Sequence, residues 1–248
     1  MGETYSISPK AQARFPLVSF HLLPYPLAME RPHILINFAI SADGKIGSSQ
    51  KGPSCFTSQA DLDRLLQIRL RADAVLVGRG TLEADEMSMT IPPEFSPPKQ
   101  PLRCIISRSG KFDTSHKVFQ AEGGEIHLVA TEASEDLSEE SYRANGVELH
   151  RLSLSEFLTH LKASLGVNTL LCEGGGSLVK DLFALDAIDE VNLTIAGHSL
   201  LGGKEAPTIT GVPGDFLPSS RQFELTHFEP QENGELFATW SRGNSNPK

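Results

Sequence analysis

The segment His33-Ile34-Leu35-Ile36-Asn37-Phe38-Ala39-Ile40 is nearly continuous in apolar, β-prone residues, and it stops at Ser41-Ala42-Asp43-Gly44-Lys45. A strand with one wet face alternates apolar and polar residues. A run without alternation suits a central strand covered on both faces. The pattern returns at Ala74-Val75-Leu76-Val77-Gly78, at Leu102–Ser107 and at Thr169-Leu170-Leu171-Cys172. Helical spacing separates these runs: from about Ser58, which can cap a helix with Asp61 three residues on, and again from Arg79-Gly80-Thr81, over 155–165 and over 177–184. Residues 125–130, 147–152 and 190–196 read as further strands, and residues 91–101 hold five of the sixteen prolines and read as a loop. The strands at 222–229 and 235–242, with Asn233-Gly234 between them, form a hairpin. The expected fold is α/β: a mixed, mostly parallel central sheet with helices on both faces and a C-terminal antiparallel hairpin.

Composition excludes several function classes. With 39% hydrophobic and 21% charged residues the chain has material for a real core. Net charge is −9 and no basic run occurs, so nucleic acid is not an expected partner. No apolar stretch approaches a membrane span. Cys55, Cys104 and Cys172 are widely spaced without a C-x-x-C pair, which suits a reducing cytoplasmic setting rather than a disulfide scaffold or structural zinc. Eight histidines are scattered without ligand spacing, and no metal is expected. Residues 1–30 read as an extension or arm: the apolar stretch before Met29 is broken by Pro16, His21, Pro24 and Pro26, which argues against a signal peptide. One domain over 31–242 and a short tail, 243–248, complete the expected organisation.

Four apolar strands end at small or polar residues: Ser41 to Lys45, Gly78 to Thr81, Ser107 to Gly110, and Glu173-Gly174-Gly175-Gly176-Ser177. In a parallel sheet the C-terminal strand ends share one edge, where α/β folds bind ligands. Three glycines between a strand and a helix allow a pyrophosphate to approach backbone N–H groups, though the order is not the G-x-G-x-x-G fingerprint. Ser177 lacks a G-x-S-x-G context, and no histidine sits at a comparable strand end. Anion-binding groups without a nucleophile point to chemistry carried by a cofactor, hydride transfer being the natural candidate.

Several motifs in order resemble the riboflavin-biosynthesis reductase family: Arg31-Pro32-His33-Ile34 through Lys45, Arg71-Ala72-Asp73-Ala74-Val75-Leu76-Val77-Gly78 with Gly80-Thr81, Glu173 to Gly176, and Leu200-Leu201-Gly202-Gly203-Lys204-Glu205-Ala206-Pro207. That family comprises the C-terminal half of the bacterial bifunctional deaminase-reductase and the stand-alone diaminohydroxyphosphoribosylaminopyrimidine reductase. The resemblance implies a dihydrofolate-reductase-like three-layer fold, a homodimer, and NADPH-dependent hydride transfer to C1′ of a ribosylamino-pyrimidinone 5′-phosphate. The P-C-x-x-C element of the zinc deaminase signature is absent.

Carried over by position, the resemblance places cofactor contacts at Ile40, Thr81, Asp85, Ser107, Gly174, Gly175, Gly176 and Ser177, and substrate contacts at Ser54, Arg69, Met89 and Glu173. Asp43 and Glu173 are candidate catalytic groups. Arg79 and Arg108 are candidates for the adenosine 2′-phosphate, since each offers a guanidinium fork at a strand end. Two positions depart from the family pattern: Pro92 stands where a substrate-binding arginine is expected, and Gly197 replaces a proline. The departure at Pro92 keeps two alternatives open, a reductase of the same fold acting on a pterin-like or other substrate, and a non-catalytic dinucleotide-binding module.

Overall fold

The computed structural model describes residues 30–49, 56–132, 139–211 and 222–243. Ser54 and the expected N-terminal arm fall outside these residues. Nine strands follow in chain order: β1 (His33–Ser41), β2 (Ala74–Gly78), β3 (Leu102–Ser107), β4 (Ile126–Ala130), β5 (Val147–His150), β6 (Thr169–Cys172), β7 (Glu190–Ala196), β8 (Phe223–Pro230) and β9 (Glu235–Arg242). The helices are α1 (Gln59–Arg69), α2 (Arg79–Asp85), α3 (Lys117–Gln120), α4 (Glu139–Arg143), α5 (Leu154–Ala163) and α6 (Gly176–Ala184), with one 3-10 turn at Pro93–Phe95.

The strands form one sheet in the order β5-β4-β3-β2-β6-β1-β7-β9-β8. Every neighbouring pair from β5 to β7 is parallel, while β9 runs antiparallel to both β7 and β8. The mixed, mostly parallel sheet and its closing hairpin are therefore as the apolar pattern required.

Two cores explain why the central strands lack polar alternation. On one face Ile34, Ile36 and Phe38 of β1 and Leu170 and Cys172 of β6 pack with Phe157, Leu158 and Leu161 of α5 and Leu178, Val179 and Leu182 of α6. On the other, Leu35, Val75, Val77, Ile105 and Leu171 pack with Ile68 of α1, Leu82 of α2, Val118 of α3 and Tyr142 of α4. Each buried leucine or phenylalanine contributes about 1.5–3 kcal/mol by leaving water. Strand β8 forms the outer edge of the sheet and is largely exposed, with Leu225 and Phe228 each 55% accessible.

Some local expectations change. Ser58 sits at the N-cap of α1 but does not cap it. Its hydroxyl and N–H instead donate to Glu235 of β9, at 2.6 and 2.8 Å, because that fully buried carboxylate needs donors. The helix read as 155–165 begins at Leu154 and carries a capping box: the Glu156 N–H donates to Ser153 Oγ, and the Ser153 N–H donates to Glu156 Oε2 at 2.8 Å. The short helices α3 and α4 were not evident in the sequence. Each is a single turn fixed by its packing rather than by its own periodicity.

Candidate active site

Strands β1, β2, β3 and β6 end side by side, and their loops enclose a cleft of about 1410 Å³. Its floor is the junction of two strand–helix turns. The Gly78 N–H reaches the Gly174 carbonyl at 3.4 Å, and the Glu173 N–H donates to the Leu76 carbonyl at 3.1 Å, so the β2–α2 and β6–α6 turns are stitched together.

Each glycine of the triplet is required for a separate reason. At Gly174 a Cβ would lie 2.8 Å from Thr81 Cγ2, so the Thr81 side chain fills the place a side chain would take. At Gly175 φ is +91°, a conformation L residues rarely adopt. At Gly176 a Cβ would meet the Gly211 backbone nitrogen at 2.4 Å, where neither partner can yield. Helix α6 then starts with Gly175 at its N-cap and no side-chain cap, leaving its first N–H groups for water or an anion at the cleft wall.

The structure brings ten of the expected residues to the lining: Arg79, Thr81, Asp85, Ser107, Arg108, Glu173, Gly174, Gly175, Gly176 and Ser177. It places four others off the lining. Ile40 lies beyond Phe38 and Ala39, which do face the cleft. Met89 is fully buried in the second core with φ +58°, and Met87 lines the cleft in its place. The Asp43 carboxylate accepts from Ser41 Oγ at 2.6 Å and from the N–H groups of Gly202 at 2.8 Å and Leu201 at 3.2 Å. Those bonds, the Ser41 hydroxyl first, lower its pKa to about 2, and they make Asp43 a brace between the β1 turn and the 201–202 loop.

Arg69 stands behind the wall. Its Nε and Nη2 grip Glu173 at 2.5 and 2.7 Å, and Nη1 donates to the Thr90 carbonyl at 2.7 Å. Both side chains are more than nine-tenths buried. Burial works against the guanidinium charge, but the Glu173 carboxylate more than offsets it, and the Arg69 pKa is raised. The fork thus fixes the orientation of the one carboxylate that follows β6, and it ties the 87–91 segment to the floor. Pro92 continues that segment and does not reach the lining.

The charge pattern of the lining is uneven. Arg79 and Arg108 are its only basic side chains among the described residues, against Asp61, Glu83, Asp85, Glu132, Glu173, Asp181 and Glu205. Arg79 pairs with Glu83 at 2.7 Å across one helical turn, both half exposed. Asp85, at the last position of α2, is pushed up in pKa by burial, so it holds its proton more readily than an exposed aspartate.

Asn37 was not anticipated. It lines the cleft from the middle of β1, and its buried Oδ1 has no hydrogen-bond partner among the described residues. A buried acceptor left unpaired costs roughly 1–3 kcal/mol, so it marks a place for a ligand donor. In the sequence it is one polar residue inside an apolar run, the only signal available. Asp61 and Leu65 of α1, and Glu205 and Pro207 of the loop beyond Gly203, also reach the cleft and were missed, because nothing local aims a helix face at a distant strand end.

Comparison with known proteins agrees with this geometry. The model of the RibD C-terminal domain family matches residues 32–236. The 2,5-diamino-6-ribosylamino-4(3H)-pyrimidinone 5′-phosphate reductase of Archaeoglobus fulgidus is 28% identical over 225 residues, covering 86% of this chain and 99% of that protein. The protein of the same name from Methanothermobacter thermautotrophicus is 29% identical over 200 residues, 79% of this chain and 91% of its own length. Among solved structures, Acinetobacter baumannii RibD superposes with a TM-score of 0.73 at 18% identity, with 87% of this chain matched to 59% of that longer one. A pyrimidine reductase-like protein of Corynebacterium diphtheriae gives 0.69 at 20% identity, covering 86% of this chain and 93% of its own. These share the dihydrofolate-reductase-like architecture, and with the family match spanning most of its length, the chain belongs to the RibD C-terminal domain family.

Proposed function

We propose that this chain is a reductase of riboflavin biosynthesis that uses NADPH to reduce a ribosylamino-pyrimidinone 5′-phosphate at C1′ of its opened sugar. The observation that carries this reading is the glycine cradle. Gly174, Gly175 and Gly176 bring bare backbone and an uncapped helix start to the cleft floor, in a chain whose relatives are named as this reductase. The residues fit the cofactor. A Cβ at Gly174 would strike Thr81 and one at Gly176 the Gly211 backbone, so the turn keeps its shape only with glycine there; Ser107 and Ser177 add hydroxyls beside it, and Asn37 Oδ1 waits for an N–H donor of the kind a carboxamide or an aminopyrimidine carries.

Bound NADPH supplies the hydride, and the chain does the rest. Thr81, Ser107, Ser177 and the α6 N–H groups would hold the pyrophosphate, and Arg79 and Arg108 would pair with the 2′-phosphate. Glu173, aimed by Arg69, meets the sugar or amino groups of the substrate, and Asp85 is a nearby carboxyl whose pKa is raised by burial. Holding both partners in reach of each other accounts for most of the acceleration. In this reading Asp43 keeps the β1 turn in place and makes no direct contact.

The scarcity of cations favours a second reading. If Arg79 and Arg108 both serve the cofactor, no basic side chain among the described lining residues is left to pair with a substrate 5′-phosphate, and a different substrate of the same enzyme class fits as well. One assay separates the two: the protein is mixed with NADPH and the ribosylamino-pyrimidinone phosphate, with dihydrofolate in parallel, and absorbance of the reduced nicotinamide is followed. Oxidation with the pyrimidine alone is the expected result. Measurable NADPH binding without pyrimidine-dependent oxidation overturns the substrate assignment.

A further inference from the structure

Off the cleft lining, the outer parallel strands assemble a group of side chains that reduction does not use. His127 on β4 lies directly opposite Glu148 on β5 in the parallel register, and alternation along β5 puts His150 on the same face. Nδ1 of His127, Nε2 of His150 and a Glu148 carboxylate oxygen all lie within 4.8 Å of one another. The separations are 3.0 Å between the two ring nitrogens, 3.6 Å from His127 Nδ1 to Glu148 Oε2, and 3.9 Å from His150 Nε2 to Glu148 Oε1. Ligands about 2.0–2.1 Å from a tetrahedral zinc ion stand roughly 3.3 Å apart, and the separations, those to Glu148 each measured to one of its two oxygens, lie on either side of that spacing.

From this we propose that His127, Glu148 and His150 form a binding site for a divalent transition metal of the zinc type, separate from the reductase cleft. Two imidazoles and one carboxylate, with a fourth place for water, make a borderline-soft set that suits zinc or cobalt and disfavours magnesium or calcium. The surroundings fit. The rings of His127 and His150 meet end to end, with centroids 5.2 Å apart and Nδ1 3.0 Å from Nε2, and the His160 ring of α5 lies 5.0 Å from His150. With Nδ1 on the metal, the proton of His127 resides on Nε2. That atom is buried, has no hydrogen-bond partner among the described residues, and lies 3.9 Å from Glu125 Oε2, the position of an outer carboxylate. None of the three residues lines the cleft.

The ion would join β4 to β5, a four-residue strand with one neighbour in the sheet among the described residues. It would therefore act on stability rather than on hydride transfer.

The whole protein, stripped with EDTA and freed of chelator, is titrated with zinc chloride by calorimetry and with cobalt chloride by visible absorption. The expected result is one saturable site, visible bands of tetrahedral cobalt, and a melting temperature that rises with zinc. Glu148→Gln changes an exposed side chain, and it should weaken zinc by at least about 10-fold while NADPH affinity stays unchanged. His150→Gln should do the same; if it does not fold, Glu148→Gln decides alone. His227→Gln, on the exposed β8, should leave zinc binding as it is. No saturable site in the unaltered protein, or equal affinity in Glu148→Gln, overturns the proposal and leaves a hydrogen-bonded histidine pair.

Discussion

Two arginine–glutamate pairs belong to the same cleft, and they differ in almost everything but chemistry. Arg69 and Glu173 meet through two parallel hydrogen bonds, with side chains 8% and 4% exposed and a third nitrogen on a backbone carbonyl. Arg79 and Glu83 are neighbours on α2 with side chains 44% and 41% exposed. Water screens the second pair to about 0–1 kcal/mol, so Arg79 can leave Glu83 for a phosphate at little cost. The first pair cannot be opened without stranding a charge in the interior. The difference teaches which arginine is structure and which is available to a ligand: a guanidinium fork already saturated is a wall, and an exposed one is a hand.

The largest effect should come from breaking the buried pair on one side only. Glu173→Gln strands the Arg69 charge and is expected to cost about 3–5 kcal/mol in urea unfolding, whereas Arg69→Met with Glu173→Leu should recover much of that loss. A single variant as stable as the parent protein would erase the contrast. Next comes the floor between the pairs. Gly176→Ala drives a methyl into the Gly211 backbone, and the strain should cost about 1–3 kcal/mol and abolish measurable NADPH binding with the circular dichroism spectrum retained.

The exposed pair should behave in the opposite way to the buried one. Arg79→Ala should change unfolding by less than about 0.5 kcal/mol. It should raise the NADPH dissociation constant by roughly 10- to 150-fold, the equivalent of about 1.5–3 kcal/mol for a charge-assisted contact, and leave NADH nearly unaffected. Equal losses for both nucleotides would move the 2′-phosphate elsewhere, with Arg108 next to be tested. The smallest effect concerns Asp43. Its folded pKa of about 2 lies below the ordinary 3.8, so its brace contributes above that ordinary value and is lost as pH falls through the folded one. Asp43→Asn should therefore be slightly less stable than the parent at neutral pH, and the gap in melting temperature should close near pH 2. A gap that persists into stronger acid would show that charge is not what the brace uses.

Much of this was legible in the chain. The unbroken apolar runs at Ile34, Val75 and Leu171 required strands with two covered faces, and the ends of the last two carried small residues that line the cleft, whereas Ser41 to Lys45 after the first do not reach it. Other readings failed for lack of range. Ser58 has the sequence of a cap, yet a carboxylate 177 residues away holds its hydroxyl. Met89 sits in the right motif, yet a left-handed backbone turns it into the core and leaves Met87 at the wall. The histidines looked scattered because their spacing along the chain says nothing; His127 meets Glu148 only through the pairing of parallel strands.

Sequence by itself determined the architecture and the place of the glycine turn, because both depend on local physics: hydrophobic periodicity and turn chemistry. Tertiary structure decided which charges are used up and which are available. Whether Arg69, Arg79, Asp43 or His127 is a brace, a hand or a ligand depends on burial and on partners far away along the chain. The same side chain in water and in the core differs by several kcal/mol, and no local pattern records which environment it will meet.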